Sequence, residues 1–295
     1  MKLTSLKTFL VGMGSLALMS HGNAALVSYW SFDGANANDL VGSNNGTLKN
    51  GAGFSTDTPN GSANSLDLTN GKDYVLLPST DFGIGASSSF TISAWAKYTS
   101  SERGAITIKQ DLTGGGGDRS GITFGMGADN KTFVGIIASS GANDAANGGA
   151  TFRDVVADQT VPTGEWVHIA AVLGNDALTT YLNGVPAVSY AVSPAGSTMQ
   201  PDGTSVTGGA GFDFNDANGS FTGFGASGNA PAVADSPGDF TRLFYEGLLD
   251  DVAIWDHALS AGEIGQIAAG GAIPEPSSSL LLLLACVAGV MRRHR

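Results

Sequence analysis

Basic residues, glutamate and cysteine are all scarce in this 295-residue chain. The only cysteine, Cys286, lies in an apolar run near the C-terminus. The rest of the chain therefore contains no disulfide, and its stability must come from a core, with or without help from a metal. Lysine and arginine total 14 against 26 acids, and Lys2, Lys7, Arg292, Arg293 and Arg295 sit with Glu275 in the two ends. What lies between holds 9 bases and 25 acids. So acidic a body repels phosphate backbones, which excludes nucleic acid and leaves cations and neutral glycans as partners.

Catalytic signatures are missing as well. There is no zinc-ligand spacing and no G-x-S-x-G elbow, and Gly114 to Gly117 lacks the Lys-Ser/Thr that ends a phosphate loop. The body has only four glutamates, Glu102, Glu165, Glu246 and Glu263, none in a Glu-x-Asp-x-x-Glu pattern. Retaining glycoside hydrolysis needs two carboxylates about 5 Å apart. Glu246 and Asp250 share strand parity, but four residues of extended chain separate them by roughly 13 Å. No catalytic residue is expected.

What the chain does have is glycine, 43 residues of it, and 42% hydrophobic residues against 14% charged. That balance supplies a core and disfavours helices. Strand-like runs recur between glycine-rich breaks at Leu26 to Phe32, Tyr74 to Leu77, Phe90 to Lys97, Ala105 to Lys109, Thr132 to Ala138, Glu165 to Leu173, Leu178 to Tyr190 and Phe244 to Trp255. Such spacing predicts two packed antiparallel sheets. Asn183-Gly184, both tolerant of positive φ, makes Leu178 to Tyr190 a tight hairpin. In Phe90 to Lys97 the alternation puts Phe90, Ile92, Ala94 and Ala96 on a core face and Thr91, Ser93, Trp95 and Lys97 on the other. One helix is expected, over Ala261 to Ala268, opened by Ser260 and Glu263 as a capping box and stopped by Gly270-Gly271.

The ends read as addresses. Residues 1–24 combine Lys2 and Lys7, an apolar stretch from Phe9 to Met19, and Gly22-Asn23-Ala24. These are the three parts of a secretory signal, with cleavage after Ala24. At the other end Pro274-Glu275-Pro276 precedes three serines, an apolar run from Leu280 to Met291, and Arg292-Arg293-His294-Arg295. The apolar run is about 12 residues, short of the roughly 20 that cross a bilayer, so a short tail helix making transient contact with the inner membrane is expected.

This tail resembles the PEP-CTERM sorting signal of Gram-negative bacteria. The resemblance implies recognition by an exosortase-type processing enzyme and release to the cell surface or extracellular matrix. It divides the chain into a signal peptide (1–24), a body (25–272) and a sorting tail (273–295).

The body in turn resembles the laminin G-like group of the concanavalin A-like lectin/glucanase superfamily. The residues that carry this are Tyr29-Trp30-Ser31-Phe32-Asp33-Gly34, Phe90 to Lys97, Glu165-Trp166-Val167-His168-Ile169-Ala170, Tyr181-Leu182-Asn183-Gly184, and Gly247 to Trp255 followed by Ala258-Leu259-Ser260. The implied fold is an all-β antiparallel jelly-roll sandwich. The implied functions span lectins, adhesion modules, toxin domains and glucanases, among which fold does not choose.

The expected role is that of an exported, non-catalytic surface or matrix protein binding carbohydrate or another extracellular polymer. A purely structural matrix component and a diverged glycan-active enzyme are the alternatives. Among single residues, Asp250 shares parity with Val252 and Ile254, so its carboxylate would face the core and require either backbone donors or a cation. Calcium is the cation expected, with Asp33 a second ligand, as the family resemblance implies. Asp213 to Gly219 has a calcium-like look that Ala217 interrupts. His168 reads as a structural, hydrogen-bonded histidine. Tyr29, Trp95, Trp166 and Trp255 are either sandwich core or sugar-stacking surfaces, which exposure decides.

Overall fold

A computed structural model describes residues 25–78, 82, 89–100, 104–111, 120–126, 131–137, 152–174, 177–193, 197–198, 221–226 and 244–271. The expected signal segment (1–24), the tail with its expected helix, and the calcium-like stretch Asp213 to Gly219 lie outside these residues. The described chain folds into two antiparallel sheets and one helix. In order, the strands are β1 (Leu26–Trp30), β2 (Thr47–Lys49), β3 (Gly53–Ser55), β4 (Ser65–Asp67), β5 (Tyr74–Leu76), β6 (Phe90–Tyr98), β7 (Gly104–Asp111) and β8 (Ser120–Met126). There follow β9 (Lys131–Ile137), β10 (Phe152–Thr160), β11 (Trp166–Leu173), β12 (Ala177–Leu182), β13 (Val185–Ser193), β14 (Ser197–Thr198), β15 (Phe221–Phe224), β16 (Gly247–Trp255) and the helix α1 (Ala261–Ala268).

One sheet runs β14-β13-β12-β11-β6-β16-β4-β3, with β1 also paired to β16; the other runs β10-β9-β8-β7-β15-β5-β2. These are the two packed antiparallel sheets that the strand pattern predicts, arranged as the jelly-roll sandwich that the family resemblance implies, with one helix among the described residues. The alternation in β6 holds: Phe90, Ile92, Ala94, Ala96 and Tyr98 join the core between the sheets. On β11 the same face carries Val167, Ile169, Ala171 and Leu173. At the centre Trp30, with no exposed surface, meets Phe224 edge-to-face at 4.8 Å. Its indole N–H donates to the Asn44 carbonyl, so burial leaves no polar atom unsatisfied.

A second apolar cluster lies on the opposite, outer face of the β6 sheet. Ala170, Val172, Tyr181, Ala253 and Trp255 are covered there by Leu259, Ile264 and Ile267 of the helix segment. The capping box is present: Ser260 Oγ accepts from the Glu263 N–H, and the Glu263 carboxylate accepts from the Ser260 N–H. The β12–β13 hairpin turns on Asn183 and Gly184 with φ of 49° and 80°, and it rests against Gly265 and Ala268 of α1. Among the described residues no helix is long and apolar enough to cross a membrane.

Candidate functional site

The two strands that share one edge of β16 leave a gap between them. Leu248 and Leu249 pair with β4, while Val252 to Trp255 pair with β1. Asp250 and Asp251 fall at the changeover. On the other edge the register to β6 shifts at the same place, because Asp250 opposes Trp95 and Ala253 opposes Ser93. Two residues, Asp251 and Val252, thus stand against the single Ala94, which is a β-bulge. Asp251 takes φ 47°, a left-handed conformation unusual for a residue with a Cβ.

The bulge corrects the parity argument for Asp250. Val252 and Ile254 do face the core. The inserted residue puts Asp250 on the outer face, in the row of Trp95 and His168. It is nevertheless fully buried, because the loop before β4 crosses over it. Ser62 of that loop donates its hydroxyl to Asp250 Oδ2 at 2.7 Å, and the Asp251 N–H donates to Oδ1 at 3.0 Å.

The segment after β1 reaches the same gap. Phe32, at φ 58°, turns the chain so that Asp33 Oδ1 accepts the Ala63 N–H at 2.6 Å, while the Asn64 amide donates to the Asp33 carbonyl. From β1 itself, the Tyr29 hydroxyl donates to Asp251 Oδ1. Sequence separations of about 30 and 220 residues are thereby closed into one cluster of Tyr29, Asp33, Ser62, Asp250 and Asp251.

Its electrostatics are those of acids crowded away from water. Burial, followed by the neighbouring Asp251 charge, pushes the Asp250 carboxyl up to about 7 against the opposing hydrogen bond from Ser62. Burial also raises Asp251, against the hydrogen bond from Tyr29. The Tyr29 hydroxyl is driven far above its ordinary range by burial and then by Asp251. Asp250 therefore loses its proton only as the pH approaches neutrality.

Such a cluster can retain a proton or receive a hard cation. Its donor set, carboxylate and hydroxyl oxygens only, has the chemistry that calcium takes. Among the described residues, no three acidic, histidine or cysteine side chains converge to grip a metal ion. Asp33, Asp250 and Asp251 offer oxygens of the kind calcium takes, but they do not converge as such a group.

The remaining sequence candidates separate cleanly. His168 is fully buried on the outer face, its ring edge-on to Trp95 at 5.4 Å, and neither ring nitrogen has a partner. It is structural, but without the expected hydrogen bond; only its backbone is tied, to Asn183. Burial alone lowers its pKa to about 4. Trp255 is core and Tyr29 belongs to the acid cluster, whereas Trp95 and Trp166 are partly exposed. Glu246 lies before β16 begins, and its carbonyl accepts from the Thr99 N–H and hydroxyl. Pro274, Glu275 and Pro276 lie outside the described residues.

Three acids escaped the sequence reading as separate features. Asp251 is visible as half of an Asp-Asp pair, but its role depends on the bulge. Asp39 is buried and organises the chain after β1 by accepting from the N–H groups of Tyr29, Val41, Gly42 and Asn44. Burial would raise its carboxyl, but the donors at Gly42, Tyr29 and Val41 outweigh that and hold it low. Asp57 accepts from both Lys97 Nζ (2.6 Å) and the Trp166 indole (2.8 Å), an arrangement spanning 40 and 109 residues of chain.

Comparison with known families decides the lineage. The laminin G-type model described as the concanavalin A-like lectin/glucanases superfamily matches residues 69–265, more than half of the chain. The chain belongs to this superfamily. Residues 272–295 match the PEP-CTERM protein-sorting motif, which marks an exported protein. No curated protein matches the chain. Among solved structures, this superfamily member is similar to domain 4 of AbnA, an extracellular arabinanase from Geobacillus stearothermophilus, solved in complex with arabinotriose. The identity is 19% and the TM-score 0.55, over 83% of this chain and 99% of that domain. It is also similar to the binding domain of Paraclostridial Mosquitocidal Protein 1, at 17% identity and TM-score 0.51, covering 83% of this chain and 52% of that one. Both likenesses concern the fold.

Proposed function

We propose that this superfamily member is a non-catalytic carbohydrate-binding protein of the Gram-negative cell surface or extracellular matrix. An exosortase-type enzyme acts on its C-terminal motif, and the tail touches the inner membrane only in transit. The observation that supports this most is the likeness to a whole arabinanase domain of nearly equal extent, solved with an oligosaccharide, in a chain that carries a sorting motif. A binding module needs a rigid scaffold with polar and aromatic groups reaching solvent, and the partial exposure of Trp95 and Trp166 on the sandwich supports this reading. Purified protein screened on a glycan array with calcium is expected to retain at least one neutral polysaccharide without releasing new reducing ends. Absence of any bound glycan, or steady hydrolysis of one, refutes the proposal.

Calcium belongs to the same reading, held by Asp33 and Asp250. Bound among these acids it would neutralise their mutual repulsion and pin the segment after β1 to β16. Binding to the folded state alone raises the melting temperature, by mass action. Millimolar calcium should therefore raise the Tm over that in chelator, and Asp250→Asn should abolish the difference. Equal melting of the wild type in calcium and chelator rejects the site.

A further inference from the structure

The outer face of the β6 sheet is only partly roofed. Helix α1 covers the rows of Thr91 and Ser93, through Val172, Ala170, Ala253 and Trp255. Beyond it lie two more rows: Trp95 beside His168, and Lys97 beside Trp166. Trp95 and Trp166 are therefore diagonal neighbours on one face of two paired strands, roughly 7–8 Å apart at this kind of position, within reach of one another for large side chains. They are also the partly exposed pair among the chain's four tryptophans, since Trp30 and Trp255 have no accessible surface.

Each of these two indoles is held in place. Trp166 donates its N–H to Asp57, which also takes Lys97 Nζ, and Trp95 is braced edge-on by the buried His168 ring. Asp57 and Lys97 nonetheless remain open to water, with side-chain exposures of 45% and 23%. The hydrogen bonds from Lys97 and Trp166 keep the Asp57 carboxyl low, so it accepts as a carboxylate at every physiological pH. Its two oxygens have lone pairs to spare, and the Lys97 ammonium has two donors left.

We infer that Trp95 and Trp166, with Asp57 and Lys97 beside them, form a sugar-binding platform for a neutral glycan chain. The inference rests on the glycan-binding reading above and gives it a location. Indole rings fixed before binding supply apolar area at small entropic cost. The carboxylate accepts from sugar hydroxyls and the ammonium donates to them, which sets orientation. The net charge of −12 disfavours polyanionic polysaccharides, so the ligand class is neutral. This platform is distinct from the acid cluster: Asp250 lies in the Trp95 row, but is sealed beneath Ser62.

Two measurements test it. In gels containing arabinan, β-glucan or galactomannan, the full-length protein should be retarded by at least one polymer. Trp95→Ala and Trp166→Ala should each weaken that retention about tenfold or more, and Trp95→Phe should retain most of it. The second uses the unmodified protein. Acrylamide quenches accessible tryptophans, and here those are Trp95 and Trp166, so a retained polymer should protect the quenchable fraction of the fluorescence. Retention without protection from acrylamide, or with undiminished affinity in stably folded alanine variants, overturns the platform while leaving glycan binding intact. No retention by any polymer, on the array or in the gel, overturns both.

Discussion

Acid should destabilise this protein through His168. Its ring is fully buried, without a hydrogen-bond partner, and burial lowers its pKa from 6.5 to about 4. The folded state thus refuses a proton that the unfolded chain accepts below pH 6.5, and stability rises with pH in that window. The contribution is fully present above about pH 6.5 and is lost as pH falls toward 4. A depression of about 2.5 units corresponds to about 3 kcal/mol at 1.36 kcal/mol per unit, a large share of an ordinary domain's stability. Urea unfolding of wild type and His168→Phe at pH 7, 6, 5 and 4 measures it. The variant keeps a ring against Trp95 and removes the titration. Its stability relative to wild type should improve by about 3 kcal/mol between pH 7 and pH 4, whatever its starting offset. Other groups, including the raised carboxyl of Asp250, titrate in both proteins and cancel in the comparison. Parallel stability curves over this range would refute the reasoning, as would a His168 ring that titrates near pH 6.5 by NMR.

Asp39→Ala leaves four backbone N–H groups without their acceptor, and should cost about 3 kcal/mol in chemical denaturation. Gly184→Ala meets both a φ of 80° and neighbours 3.0–3.1 Å from the new Cβ, in Gly265 and Ala268. A loss of about 1–2 kcal/mol is expected, with the hairpin lifting from α1. Ser260→Ala removes one half of the capping box and should cost about 1 kcal/mol, read as a small fall in Tm. Trp30→Ala opens the centre of the core and should cost about 4 kcal/mol, enough to populate unfolded protein at ambient temperature.

Local rules were legible in the sequence wherever one rule acted alone. The period-two pattern of Phe90 to Lys97, the Asn183-Gly184 turn and the Ser260/Glu263 box all stand where the residues put them. Short strands were not legible. Thr47–Lys49, Gly53–Ser55 and Ser65–Asp67 are three residues each, too brief for alternation to emerge, and exist because neighbouring strands align them. Phe152–Thr160 carries Arg153, Asp154 and Asp158, so its polarity hides a strand that pairs with β9. At the candidate site the two acids first suspected do come into one cluster, but Asp250 arrives on the opposite face. The reason is one extra residue, Asp251, whose bulge breaks strand parity and which no periodicity reveals. The Trp166–Asp57–Lys97 arrangement was equally hidden, since it needs a loop to fold back over a strand.

The pairing of Leu26 with Trp255 has a consequence for biogenesis. The first strand of the described chain zips onto the last, so the β6 layer cannot be finished until some 230 residues of polypeptide have emerged. Contacts so remote in sequence form late and slowly. While the chain is incomplete, β1 has no partner on that edge, and Trp30 is left uncovered. Until the last strand arrives, that edge is the part of the sheet most open to pairing with a neighbouring chain.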